Sequence, residues 1–254
     1  MLVDLLFDPF GGRWSDVRGA AVAAEEAGFD GVWLNDHLAG SVEGAPWVLE
    51  SWTTLTAIAA SVPRIAIGPV VLNVANRDAS VVAVMAATLQ EVSRGRLLLG
   101  LGAGAGSGPY AAEQEALGRP VAGAAERRRR VEDAVRCLRQ AWTGTVGGVG
   151  EFLRPDPVPP IVIAGLGPKM AEVAGRVGDG MAARTGPDLP ALIGTARRAC
   201  EASGRDPDTY IVMVSSPPSR PDSERLAQLG VDRLMIPVFA PYRVGVAQAY
   251  DALH

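Results

Sequence analysis

The chain has 254 residues, of which 48% are hydrophobic, two are cysteine and two are histidine, and its formal net charge is −4. This composition supplies a full hydrophobic core, and it predicts neither a nucleic-acid-binding surface nor a histidine-rich metal site. Without a basic leader or an apolar run of about 18 residues, we expect a cytoplasmic protein with neither a signal peptide nor a membrane span.

Eight short apolar segments alternate with eight segments of helical periodicity along the chain. The apolar segments lack the strand-type alternation of apolar and polar residues, which is typical of parallel strands buried on both faces. The predicted strands are 2–7, 31–34, 65–72, 96–101, 161–164, 180–183, 210–215 and 234–239. The first helix is predicted to begin at a cap, Ser15, and to end at Gly28. This pattern predicts an α/β fold, a single-domain (β/α)₈ TIM barrel over residues 1–254, because the rival open sheet usually has fewer strands.

A polar triplet, Asn35–Asp36–His37, follows the second predicted strand. In a (β/α)₈ barrel, functional residues lie at the carboxyl ends of the strands. A histidine side chain can donate or accept a proton near neutral pH, which makes His37 a candidate proton donor or acceptor, although a histidine that only satisfies local hydrogen bonds is an equally simple interpretation. A direct contact between Asp36 and His37 is left open.

A glycine-rich stretch, GLGAGAGSG at 100–108, follows the fourth predicted strand. It fits a dinucleotide fingerprint only weakly, because Ser107, Gly108 and Pro109 stand where a helix should begin. A loop closely approached by a flat ligand is favoured, and a flexible lid is the alternative. The longer segment 102–125 shows no clear periodicity and predicts a mobile loop. The basic run at 127–130 predicts a solvated helix face.

The turn after the fifth predicted strand contains Gly165, Gly167, Pro168 and Lys169, the last being the only lysine of the chain. Proline suits the first turn of a helix, and free N–H groups at a helix N-terminus bind phosphate. We therefore favour a phosphate site here over an ordinary turn with a surface lysine. The remaining predicted rim residues are Asp8, Asn73, Arg184, Thr185, Ser215 and Ser216.

At these segments the chain resembles the luciferase-like flavin-dependent oxidoreductases, and within them the branch that uses the deazaflavin coenzyme F420. The resemblance covers nearly the whole chain. Four segments in the same order carry it: AAEEAGFDGVWLNDHL, ESWTTLTAIAASVPRIAIGPVV, ATLQEVSRGRLLLGLGAG and GPKMAEVAGRVGDG.

The resemblance implies a hydride-transferring oxidoreductase whose cofactor ring lies across the strand ends. By resemblance, Asp36 contacts the ring and His37 moves a proton to or from a small-molecule substrate. A non-proline cis peptide at Val70–Val71 supports the ring, with Asn73 and the glycines Gly102 and Gly104 nearby. Gly165, Gly167, Pro168 and Lys169 surround the cofactor phosphate, with Arg184 and Thr185 close to it. A homodimer is expected, as in relatives.

Two features depart from the family pattern. Arg77 is kept, but Ala79 replaces the usual proline. Ala105 stands where sugar-phosphate dehydrogenases of this branch carry a catalytic glutamate, which argues against a sugar phosphate as the substrate.

Two alternatives to an F420-dependent oxidoreductase are a monooxygenase that uses reduced FMN and oxygen, and a non-catalytic flavin-binding barrel. The tryptophans Trp14, Trp47 and Trp52 either line the substrate pocket or serve in packing.

Overall fold

The structure, a computed structural model, describes residues 1–146, 149–217 and 222–253. The second histidine, His254, lies outside the described residues. The strands are β1 Leu2–Phe7, β2 Gly31–Leu34, β3 Ala66–Pro69, β4 Leu72–Asn73, β5 Leu99–Gly102, β6 Thr145–Val146, β7 Val149–Gly150, β8 Ile161–Ala164, β9 Gly180–Arg184, β10 Ile211–Ser215 and β11 Arg233–Val238. The helices are α1 Trp14–Glu26, α2 Ser51–Ser61, α3 Ala79–Ser93, α4 Pro109–Ala116, α5 Ala124–Ala141, α6 Pro168–Val177, α7 Leu189–Ala202, α8 Ser223–Gln228 and α9 Tyr242–Leu253.

Nine of the strands form one parallel sheet, in the order β3-β2-β1-β11-β10-β9-β8-β5-β4. The two ends of this order, β3 and β4, are halves of one predicted strand, 65–72, which is interrupted at residues 70 and 71. The sheet closes beside them, because the Ile67 amide donates to the Arg96 carbonyl at 3.1 Å and the Ile67 carbonyl accepts from the Leu98 amide at 3.0 Å. The predicted TIM barrel is therefore confirmed, with β6 and β7 as a separate antiparallel pair.

Two apolar cores hold the barrel. A small cluster inside the barrel packs around Trp33, Met213 and Met235, while a larger one lies between the strands and the helices. At the start of the barrel, the guanidinium of Arg233 donates two hydrogen bonds of 2.7 Å to the buried carboxylate of Asp4. Each of these two buried charges is thus compensated by the other.

Two local predictions are wrong. Ser15 lies inside α1, and the residue that precedes the helix is Arg13, which provides no side-chain cap. The predicted mobile loop 102–125 contains the helix α4, which begins at Pro109 after Gly108 with a φ of +78°. Across the described ranges, no helix combines the length and the apolar character needed to cross a membrane.

Candidate active site

A cavity of about 680 Å³ opens at the carboxyl ends of the barrel strands. This volume lies in the range of small-molecule sites. Nine of the predicted catalytic and cofactor-binding residues line it: Asp36, His37, Val70, Val71, Asn73, Gly102, Gly104, Arg184 and Thr185. The predicted strand-end residues Asp8, Asn35 and Ser215 line it as well. None of the five tryptophans, all of which the structure describes, does so: Trp52 is buried in the core, and the indole N–H of Trp47 donates to the carbonyl of Gly12.

Asp36 is bound to Arg77 rather than to His37. The guanidinium donates to both carboxylate oxygens, at 2.8 and 2.9 Å, and the Asn73 amide adds a bond of 3.0 Å. The Asp36 side chain is fully buried. A buried carboxylate needs such partners to remain charged, so Arg77 and Asp36 act as one unit in the cavity wall.

Glu50 is the second carboxylate on Arg77, at 2.5 Å, and it also caps α2 by accepting from the amides of Trp52 and Thr53. Burial acts to raise the pKa of Glu50. The bonds from Thr53 and Trp52 and the charge of Arg77 outweigh burial, and the net pKa lies below the ordinary value of 4.5.

A group with a lowered folded-state pKa stabilises the fold above its unfolded pKa, and this contribution disappears as pH falls through the folded pKa. We therefore expect E50Q to be less stable than wild type at neutral pH and to lose less stability on acidification below about pH 5. Urea unfolding at a series of pH values measures the slope of the free energy of unfolding against pH for E50Q and for wild type. The exposed Glu115 supplies a control, E115Q, that should keep the wild-type slope, and equal slopes for E50Q and wild type would show that Glu50 does not titrate as described.

His37 follows β2 and contacts the rings of Phe10 and Tyr110, with centroids 5.1 and 4.6 Å away. Its Nδ1 lies 3.1 Å from a carboxylate oxygen of Glu113. Within the described part of the chain, Nε2 has no hydrogen-bond partner. A cavity-lining imidazole with one nitrogen held and the other open can exchange a proton with a ligand.

Glu113 and Gln114 attach α4 to the strand ends. The second oxygen of Glu113 accepts from the amides of Leu38 and Ala39, at 2.5 and 2.6 Å. Gln114 accepts a bond of 3.0 Å from the Asn73 side chain. Ala111 is the one buried apolar residue of this helix, which is thus held mainly by polar contacts, so α4 forms a wall of the site and not a mobile loop.

Two further ionisable groups line the cavity near His37. Burial raises the pKa of Asp8 above its ordinary range. The Tyr110 hydroxyl donates to the Glu43 carboxylate, and this bond, followed by burial, raises the pKa of Tyr110 to about 12. Tyr110 is therefore a protonated hydrogen-bond donor at neutral pH.

The peptide bond between Val70 and Val71 is cis, as the resemblance implied. Both valines line the cavity, and their segment packs tightly against β5. A Cβ added at Gly100 would collide with the Pro69 carbonyl, and one added at Gly102 would collide with the Val71 side chain. These glycines are needed because backbone and valine side chains approach so closely.

The turn that was predicted to bind phosphate lies beside a second cavity of about 160 Å³ rather than in the first. Arg127, Arg128 and Met170 line this second cavity, while Gly104, Ala164 and Leu166 line both. Gly165, Gly167, Pro168 and Lys169 line neither; Gly167 precedes α6 and Lys169 is exposed. The predicted solvated face at 127–130 is thus only partly correct: Arg129 and Arg130 pair with Glu126, but Arg127 donates to the Gly104 carbonyl at 2.6 Å.

Several site residues were absent from the sequence-based prediction, namely Phe10, Glu43, Glu50, Tyr110, Glu113 and Arg127. Only the Gly108–Pro109 pair offered a signal for the helix that carries two of them, since proline favours the first helical position. The described residues contain no group of three or more histidine, cysteine, aspartate or glutamate side chains placed to hold a metal ion.

Comparison with known proteins gives consistent matches. The profile of the family described as "Luciferase-like monooxygenase" matches residues 7–252. An "F420-dependent glucose-6-phosphate dehydrogenase" of Amycolatopsis mediterranei (strain U-32) is 35% identical over 193 residues, which are 70% of this chain and 55% of that protein. An "F420-dependent hydroxymycolic acid dehydrogenase" of Mycobacterium tuberculosis (strain ATCC 25618 / H37Rv) is 32% identical over 201 residues, which are 74% of this chain and 54% of that protein. The matches thus span just over half the length of these relatives.

A solved structure shares the fold over its whole length. It is described as "F420-dependent secondary alcohol dehydrogenase in complex with an F420-acetone adduct", and it superposes with a TM-score of 0.83 over 99% of this chain and 98% of its own. The sequence identity is 16%, so this likeness supports the fold alone.

Proposed function

The chain belongs to the luciferase-like monooxygenase family, and on that basis we propose that it is an oxidoreductase that transfers a hydride between coenzyme F420 and a small organic substrate. The observation that carries the proposal is His37, a cavity-lining imidazole whose Nε2 has no hydrogen-bond partner among the described residues. We assign it the transfer of a proton to or from the substrate. The names of the relatives support F420 as the cofactor.

The cavity wall fits a flat heteroaromatic ring with polar edges. Leu6, Val70, Val71, Ala164 and Met235 supply apolar lining, and residues such as Asp36, His37 and Asn73 supply polar side chains. Sites of this composition hold ligands by apolar contact and orient them by a few polar groups. When bound, the deazaflavin would supply hydride donation or acceptance, while the protein orients the substrate and moves the proton.

The second cavity fits the anionic part of such a cofactor. It adjoins the first cavity at Gly104 and Leu166, and Arg127 and Arg128 give it positive charge. The Nε atom of Arg127 is buried without a hydrogen-bond partner among the described residues. We propose that these arginines, together with the start of α6 at Gly167 and Lys169, hold the phosphate.

The substrate class of the first relative does not carry over. Ala105 lines the cavity and has no acidic group, so we do not propose a sugar phosphate as the substrate. Asp8, which is half-buried near His37, instead supports neutral substrates such as alcohols, ketones, enones and imines. Burial disfavours the charged form of the Asp8 carboxyl, and the same environment would disfavour a charged substrate group.

An anaerobic assay tests the proposed function. The protein is incubated with reduced F420 and a panel of ketones, enones and imines, and with oxidised F420 and alcohols, while cofactor absorbance is followed. We expect substrate-dependent change in cofactor absorbance without oxygen. Oxygen-dependent consumption of reduced FMN, with no reaction of F420, would contradict the proposal and favour a monooxygenase.

We also propose that the protein is a homodimer. The helix α3 exposes Val81, Val84 and Val92, at 53%, 45% and 40% of their surfaces, along one side. An exposed apolar face of this kind is typical of a protein contact. We expect wild type to sediment as a dimer and V84E to sediment as a monomer with an unchanged circular dichroism spectrum. A monomeric wild type would contradict this proposal.

A further inference from the structure

The two oxygens of the Glu113 carboxylate have different partners. Oε1 accepts from the backbone amides of Leu38 and Ala39, and Oε2 lies 3.1 Å from Nδ1 of His37. The Glu113 side chain is only 5% exposed. Among the described residues, its hydrogen bonds are all made to the segment that follows β2. Because the side chain is buried, water does not replace them easily.

These contacts determine which nitrogen of neutral His37 carries the proton. An ionised carboxylate can only accept hydrogen bonds, and neutral imidazole has one N–H donor and one acceptor nitrogen. Facing Oε2, Nδ1 must be the donor, which leaves Nε2 with a free lone pair. We propose that Glu113 is a positioning residue that holds His37 in the Nδ1–H tautomer, with Nε2 as the proton-accepting atom of the site.

This inference deepens the proposed function and rests on it for its catalytic meaning. In alcohol oxidation, the substrate hydroxyl must give up its proton, and Nε2 can accept it only if it is not already protonated. In the reverse direction, the imidazolium form of His37 donates its Nε2 proton to the substrate, while the Nδ1–H group keeps its hydrogen bond to the Glu113 carboxylate. The ring contacts of Phe10 and Tyr110 support the same ring orientation throughout.

Replacing Glu113 by glutamine should reverse the tautomer and not merely weaken the contact. Glutamine has one oxygen and one NH₂ group at its tip. The amides of Leu38 and Ala39 both require an acceptor, so the oxygen is expected to face them. The NH₂ group then faces Nδ1, which must accept, and the ring proton moves to Nε2.

Long-range ¹H–¹⁵N correlation spectra of ¹⁵N-histidine-labelled protein measure this directly. The substitution H254Q in every sample leaves His37 as the single imidazole, and alkaline pH keeps it neutral. In wild type at position 113, we expect a protonated-type shift for Nδ1 and an unprotonated-type shift for Nε2. In E113Q the two shifts should exchange, while the exposed neighbour variant E115Q keeps the wild-type pattern.

The outcomes separate this inference from the proposed function. A proton on Nε2 when Glu113 is present, or an unchanged tautomer in E113Q, would overturn the inference whether or not F420 is the cofactor. If the F420 assay succeeds, E113Q should lower kcat by about tenfold or more with a smaller change in KM, because the base is in the wrong tautomer. An unchanged kcat in E113Q would contradict the role of Glu113 as a positioning residue, even if the two ¹⁵N shifts of His37 exchange.

Discussion

Replacing His37 by alanine is expected to lower turnover with F420 by about 10²- to 10⁴-fold, the usual contribution of a general acid or base. The affinity for F420 should remain nearly unchanged, because the cavity wall formed by Val70, Val71 and the strand-end glycines stays in place. Steady-state rates and a cofactor titration on the same preparation measure both quantities.

The matched control for this variant is H254Q, which removes the other histidine and should leave turnover at the wild-type level. Equal, measurable rates for H37A and wild type would contradict the proton-transfer role, and absence of turnover in both proteins would favour a non-catalytic barrel. A parallel loss of cofactor affinity in H37A would instead show that His37 serves in binding.

Among the substitutions proposed here, removal of the Arg77 guanidinium is expected to cause the largest decrease in the free energy of unfolding. In R77A, the fully buried carboxylate of Asp36 would keep the Asn73 amide bond but lose both bonds to its counter-charge, and Glu50 would lose the same partner. Breaking a buried ion pair by removing one member typically costs about 3–5 kcal/mol. We expect a decrease of that size in the free energy of unfolding, measured by urea at neutral pH.

Two variants serve as controls for R77A. Arg136 is exposed and paired with Asp133 one helical turn away. The variant R136A should therefore lose no more than about 0.5 kcal/mol in its free energy of unfolding. The double variant D36N/R77M removes both buried charges and should be more stable than R77A. A loss below about 1 kcal/mol in R77A would mean that Asp36 is not held as a buried carboxylate.

The barrel could be predicted from the sequence because its strands are local apolar runs. Buried parallel strands need no alternation, so eight continuous hydrophobic segments of strand length were sufficient. The strand 65–72 was predicted as continuous from its apolar residues, but the cis bond at Val70–Val71 divides it into β3 and β4. That bond was predicted by family resemblance and not by the residues alone.

The helix α4 could not be predicted from periodicity because it has no apolar stripe. Only Ala111, Glu113 and Gln114 are buried on it, and two of these are polar. Its position depends on hydrogen bonds to His37 and Asn73, which lie 76 and 41 residues away in the chain. Polar contacts across such distances leave no pattern in a single sequence.

The acid–histidine pair shows the same limit. Asp36 and His37 are neighbours in sequence, and a direct contact between them was left open. In the structure Asp36 is paired with Arg77, 41 residues on, and His37 with Glu113. Consecutive residues leave a strand in different directions, so the partner of each depends on which later segment of the chain packs over that strand end.

An equilibrium titration with F420 and with FMN, each oxidised and reduced and followed by fluorescence, tests whether F420 is the cofactor. We expect F420 to bind with a dissociation constant of about 1 µM or lower, at least about tenfold more tightly than FMN. Tighter binding of reduced FMN, or binding of neither cofactor, would contradict it.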